Sequence, residues 1–205
     1  MNNKEFFDMA NISFAPPARK TLYQGSDKEI KGGFLEPQPS SSNAGDKRVT
    51  AVFATSDYNY AKRFALRKCL AGGPQTINLI NNKLLFSELK ENPDEVFYVY
   101  SVDGAGFEHD VGTEYMRFER VRIDGVQIID VAQELESNAW EIYIKDDDFD
   151  KDYKKIPRDD GAQKSKFIDE CIKSGRIKRV TDIPKQIRRQ RAARAAIMAN
   201  KKTNG

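Results

Sequence analysis

Histidine and cysteine are nearly missing from this chain. One histidine, His109, and two cysteines stand among 205 residues. No second His or Cys lies at ligand spacing from His109, so no metal site of the His/Cys kind is expected. His109, in "FEHD", reads better as a surface-loop residue than as a general base. No Ser-His-Asp arrangement with recognisable context is present, which argues against a hydrolase. "AGDKR" and "LAGGP" are too short for a Walker-type phosphate loop. Cys69 and Cys171 lie far apart in helix-like segments and read as buried or half-buried thiols. No apolar run approaches the roughly 20 residues that cross a bilayer. The opening "MNNKEFFDMANISFAPPARK" lacks a basic start followed by an apolar block, so no secretory signal is expected. A reducing, cytoplasmic setting without a membrane partner is the expectation.

What is present is a core's worth of apolar residues, 39%, beside 32% charged residues. That is a globular composition, with length for one sizeable domain and a little more. The net charge of +3 hides an asymmetry. Residues 1–161 carry 21 Lys/Arg against 28 Asp/Glu, and residues 162–205 carry 13 against 3. The basic C-terminal fifth can attract nucleic acid or an acidic protein, or fold back on its own acidic body.

Along the chain, "EFFDMANISF" (5–14) predicts a short amphipathic helix, broken by Pro16 and Pro17. "KTLYQG" (20–25) predicts a strand, residues 32–47 a loop, and "RVTAVFAT" (48–55) a strand rich in β-branched residues. Ser56 or Asp57 can cap the helix that follows. Its apolar face is Ala61, Phe64, Ala65 and Cys69, and "GGP" (72–74) ends it. Residues 75–89 read as a strand with a second strand or short helix. Further strands are expected at 95–104, 124–131 and 138–145, with mixed strand and loop at 107–123. Residues 146–161 are charged enough to read as a linker. Helices are predicted over 162–175, stopped by Gly175, and over 183–202. The fold class is α+β with a mostly β core: a domain over 1–145, a linker over 146–161 and a basic helical extension over 162–205.

Two stretches carry a pattern. One is Leu22, Tyr23, Gln24, Gly25, Ser26. The other is Val52, Phe53, Ala54, Thr55, followed by a helix opening with Tyr58 and Tyr60. Together they resemble the ADP-ribosyltransferase-like fold, including its poly(ADP-ribose) polymerase branch. That family has L-(aromatic)-H-G-(S/T), then an (aromatic)-F-A strand with a tyrosine helix, then a glutamate on a later strand. In "GTEYMRFERVRIDGVQIIDV" Glu114 matches the glutamate best, with Glu119 as the alternative. The resemblance covers about residues 20–131 and implies a split β-sheet core that takes NAD as substrate. It implies that Gln24, Gly25 and Ser26 hold the dinucleotide and that Tyr58 or Tyr60 stacks on nicotinamide. Glu114 would hold the ribose hydroxyls and stabilise the oxocarbenium-like state as nicotinamide leaves. Gly25, without a Cβ, would let the ligand approach the strand. Gln24 stands where the family more often has histidine; an amide also donates and accepts hydrogen bonds.

The activity implied is transfer of ADP-ribose from NAD to a macromolecular acceptor. An NAD-dependent RNA 2′-phosphotransferase is an alternative, with Arg19, Lys20 or Arg63 as its basic residues. A non-catalytic binding or structural component of a virion or nucleoprotein assembly is another. For the basic extension, Arg188, Arg189, Arg191 and Arg194 are the candidate contacts to nucleic acid or an acidic partner. The unremarkable alternatives are a solvated helix for these arginines, packing for the tyrosines and a solvent-facing strand position for Glu114.

Overall fold

The computed structural model describes residues 20–41, 48–72, 79–80, 82–110, 112–137, 140–157 and 160–203. The helix expected at 5–14 and the candidate Arg19 lie outside them. The strands are β1 (Thr21–Ser26), β2 (Phe34–Leu35), β3 (Gln38–Ser41), β4 (Arg48–Thr55), β5 (Leu79–Ile80), β6 (Lys83–Phe86) and β7 (Val96–Asp103). They continue as β8 (Glu108–His109), β9 (Glu114–Arg117), β10 (Val121–Arg122), β11 (Gly125–Asp130), β12 (Glu141–Lys145) and β13 (Ile177–Val180). The helices are α1 (Tyr58–Leu70), α2 (Val131–Ser137), α3 (Phe149–Tyr153), α4 (Gly161–Lys173) and α5 (Ile183–Thr203).

The fold is mixed α+β with mostly antiparallel sheets. A seven-stranded sheet runs β11-β7-β1-β4-β9-β8, with β3 also beside β4. A four-stranded sheet runs β13-β12-β6-β5, where β12 and β6 are parallel. Between the two sheets lies the main core. Ala61, Ala65 and Leu70 of α1 meet Phe97 and Val99 of β7 on one side and Leu84 and Ile142 on the other. The outer face of the large sheet, with Leu22, Val52 and Val102, is covered by Leu35 of β2 and Val121 of β10. α3 and α4 cover the outer face of the small sheet through Phe149, Ile168 and Cys171.

Local chemistry explains several elements. Asp57 caps α1, accepting from the backbone N–H of Asn59 at 2.9 Å and Tyr60 at 3.1 Å. Asp160 caps α4 by accepting from Gln163 N–H at 2.8 Å. Gly175 ends the α4 segment with φ of +77°, open to glycine without strain.

The structure differs from expectation in four places. The loop expected at 32–47 contains β2 and β3. Pro39 sits in β3 because that strand has β4 on one side only, and an edge position spares the missing N–H. α2 was not anticipated. Its Glu134 is buried, paired with Lys62 at 2.6 Å and accepting from the Trp140 indole N–H at 3.1 Å. The linker expected at 146–161 holds α3, whose Phe149 is fully buried. There Lys145, also buried, reaches Asp150 at 2.5 Å. The boundary expected at residue 162 does not divide the packing either. β13 pairs with β12, and Ile183 and Ile187 of α5 enter the same core as α1.

Both cysteines are buried. Burial pushes the Cys69 thiol from an ordinary 9.0 up to about 12. Above the unfolded value the unfolded chain releases this proton and the folded chain keeps it, so stability falls as pH rises from 9 toward 12. The expected slope from this group is about 1.4 kcal/mol per pH unit. Urea midpoints at stepped pH, wild type beside Cys69→Ala, should show the variant with a shallower alkaline decline. Parallel declines would remove Cys69 as the cause.

Candidate functional site

β1 and β4 are paired at one position, Tyr23 with Thr55. Beyond it they part, and β3 takes up the pairing along Ala51 to Arg48. A pocket of about 220 Å³ opens where they part. Gln24 and Gly25 line it from β1, and Phe53 and Ala54 from β4. One side of α1 supplies Tyr60, Phe64 and Lys68, four residues apart and so on one helix face. Glu114 enters from β9, directly opposite Thr55 of β4.

The end of β4 is tied to the turn that delivers this glutamate. Ser56 N–H donates to the Thr113 carbonyl at 2.9 Å, and the Thr55 hydroxyl donates to that of Thr113 at 3.0 Å. The Tyr60 hydroxyl donates to Glu114 Oε1 at 3.2 Å. Burial raises the Tyr60 pKa, and the Glu114 charge and hydrogen bond raise it further, so the phenol stays protonated and remains a donor.

Gln24 shares its face with Tyr100, its partner across β7, and with Leu22. Its Oε1 is buried with no hydrogen-bond partner among the described residues. A buried carbonyl oxygen left unpaired costs about 1–3 kcal/mol, so a pocket-lining glutamine is poorly explained by packing alone. A sugar hydroxyl reaching that oxygen would satisfy it.

The other candidates separate. Tyr58, two positions from Tyr60 and so about 200° around the helix, faces away. Its hydroxyl donates to Gln127 of β11, and its ring meets Tyr23 edge-on at 5.2 Å. Ser26 turns the chain: its hydroxyl donates to the Lys28 carbonyl at 2.8 Å and accepts from Lys28 N–H at 3.1 Å. Glu119 is exposed and pairs with Arg117 at 3.0 Å. His109 lies on exposed β8, with Nε2 at 3.0 Å from the Gly112 carbonyl. Lys20 bonds the Tyr115 hydroxyl, and Arg63 pairs with Asp57 at 3.5 Å. Neither lines the pocket.

Gly25 lines the pocket and also meets a packing demand that the resemblance does not imply. A Cβ built there lies 2.0 Å from the Ala61 carbonyl oxygen. The space that a side chain would fill belongs to α1. The glycine lets helix and strand touch in that direction.

The arginines of α5 follow the second of the two alternatives open to the basic segment. Arg188 pairs with Glu136, Arg191 with Asp130 at 2.7 Å and Glu95 at 3.2 Å, and Arg194 with Glu95 at 3.0 Å. Three of the four candidate contacts thus fold back on the acidic body. Arg189 is exposed and has no ion pair among the described residues.

The resemblance named both tyrosines and did not point to Lys68. Counting α1 at 100° per residue from the apolar Ala61 and Ala65 would have put Phe64 and Lys68 on a shared side. Among the described residues no helix is long and apolar enough to cross a membrane. Comparison of the chain with family models, curated proteins and solved structures finds no match.

Proposed function

We propose that this chain binds NAD in the pocket between α1 and the parted strands β1 and β4, and transfers ADP-ribose to a macromolecular acceptor. The observation that carries this reading is one of position. Gln24, Tyr60 and Glu114, drawn from three distant segments by the motif resemblance, line a single pocket, with Tyr60 bonded to Glu114.

In this reading the Tyr60 ring stacks on the nicotinamide, and the Gln24 amide meets a ribose hydroxyl with the oxygen that has no partner among the described residues. Glu114 accepts from hydroxyls of the nicotinamide ribose. Its negative charge stabilises the positive charge that develops as the C1′–N bond breaks. Nicotinamide leaves with the bonding electrons. A nucleophilic atom of the acceptor then bonds to C1′ and gives up its proton. Tyr60, kept protonated, fixes the carboxylate's orientation. The phosphotransferase reading needs several basic residues at the pocket; Lys20 and Arg63 are engaged elsewhere, and Lys68 alone of the described cations lines it.

The test is calorimetric titration with NAD of wild type and Gln24→Leu. Leucine nearly keeps the volume and removes the unpaired oxygen from an apolar face. The variant is expected to melt at or above the wild-type temperature and to bind NAD at least about tenfold more weakly, the cost of one lost hydrogen bond to a hydroxyl. A wild type that takes up no NAD would end the proposal. A Gln24→Leu protein that binds normally would remove Gln24 from it.

A further inference from the structure

We infer that the open groove next to the pocket is the seat of the acceptor, and that the acceptor is a single-stranded nucleic acid. This identity of the acceptor rests on the proposed transferase reading; the binding itself can be tested without it.

The groove, about 800 Å³, shares Gln24, Gln38 and Lys68 with the pocket, so the two spaces adjoin. Four cations line it, Lys28, Lys31, Lys68 and Arg120, against two carboxylates, Asp27 and Glu36. All four cationic residues are exposed, and none pairs with a carboxylate among the described residues. That contrasts with Arg188, Arg191 and Arg194 of α5, whose charges the acidic body already balances. Three arginines of the basic α5 are thus held by the acidic body, while the four cations beside the pocket are left for a partner.

The cations come from three segments: the turn after β1, the C-terminal half of α1 and the connection from β9 to β10. A dinucleotide's diphosphate carries about two charges in one place, whereas a strand of phosphodiesters meets cations spread along a groove. Phe34 lines the same groove, with the Arg120 guanidinium 4.7 Å from its ring centroid. An arginine laid on an aromatic ring is a platform for an unstacked base, and a duplex keeps its base faces covered. Phosphates held by Lys28 and Lys31 would bring a neighbouring base or sugar toward the Gln24 end, where the pocket opens.

The experiment is fluorescence anisotropy with a fluorescein-labelled single-stranded DNA oligonucleotide, read between about 50 and 200 mM salt. Wild type is compared with Lys31→Glu/Arg120→Glu, whose two positions line the groove but not the pocket, and with Arg189→Glu on the exposed side of α5. Melting curves check folding, and NAD titration runs beside each variant. The double variant is expected to lose at least about tenfold in oligonucleotide affinity, and its salt slope to shrink by about 1.4, for two phosphate contacts on a single strand. Its NAD affinity stays at the wild-type value, and Arg189→Glu binds the oligonucleotide as wild type does. The inference is overturned if wild type binds no oligonucleotide, if the double variant binds it normally, or if Arg189→Glu loses as much. It is also overturned if NAD affinity falls with the double variant, since the groove then belongs to the dinucleotide. Oligonucleotide binding with no NAD binding by wild type would end the transferase reading and leave the groove assignment standing.

Discussion

Glu114→Gln is expected to lower ADP-ribose transfer by roughly 10²–10³-fold, the usual cost of removing one group that stabilises transition-state charge. Melting temperature should stay near wild type. The amide has the carboxylate's shape, and the Tyr60 hydroxyl, now 3.2 Å from Oε1, can still donate to the amide oxygen. In the proposed reaction, what is lost is the negative charge facing the sugar carbon as nicotinamide departs. Because that charge matters most when the positive charge develops, the rate should fall far more than NAD affinity. Single-turnover transfer with labelled NAD, beside calorimetry, separates the two. Equal loss of rate and affinity would make Glu114 a binding residue only. Wild-type turnover would remove it from the chemistry. Glu119→Gln is the natural control: its side chain is 73% exposed and paired with Arg117, so turnover should not change.

The second large effect is on stability. Gly25→Ala is expected to cost about 3 kcal/mol or more, at the upper end of overpacking penalties. Its melting temperature should fall by roughly 6–12 °C for a chain of this size. The added Cβ would stand 2.0 Å from the Ala61 carbonyl oxygen, 2.9 Å from its carbonyl carbon and 3.0 Å from the Ala65 Cβ. Two of these atoms are helix backbone and cannot swing aside as a flexible side chain would. α1 would have to back away from β1, opening the core at Ala61 and Ala65, both at most 2% exposed. An alanine variant melting with wild type would show that the helix can shift at little cost. Loss of ligand binding in a Gly25 variant therefore reports helix docking, and ligand contact is better read at Gln24.

Much of the fold was legible in the sequence because its signals are local. Asp57 caps the helix it precedes, and both partners are within three residues. Gly175 stops a helix by its own backbone freedom. β-Branched residues along 48–55 and the apolar and aromatic run at 95–104 announced strands that the structure places at β4 and β7. The elements that escaped were short or held by distant partners. α2 has seven residues, too few for a helical period to show, and its buried Glu134 is satisfied from α1 and from Trp140. α3 is dominated by charge, and only the cover of α4 and β12 makes a core residue of Phe149.

For the candidate site, the sequence by itself determined which residue types were available: a glutamine in a strand, two tyrosines at a helix start and two glutamates on one later stretch. The resemblance already ranked Glu114 above Glu119, but only tertiary structure shows which of these residues line one pocket. The choice of Tyr60 over Tyr58 follows from which side of α1 meets the parted strands. The choice of Glu114 over Glu119 follows from the register that sets Glu114 opposite Thr55. The fate of the basic α5 depended on where Glu95, Asp130 and Glu136 lie in space, and the role of Gly25 on how closely a helix approaches. Each is a relation between segments far apart along the chain. Composition and periodicity report what one segment can do, while distance and facing between segments exist only once the chain has folded.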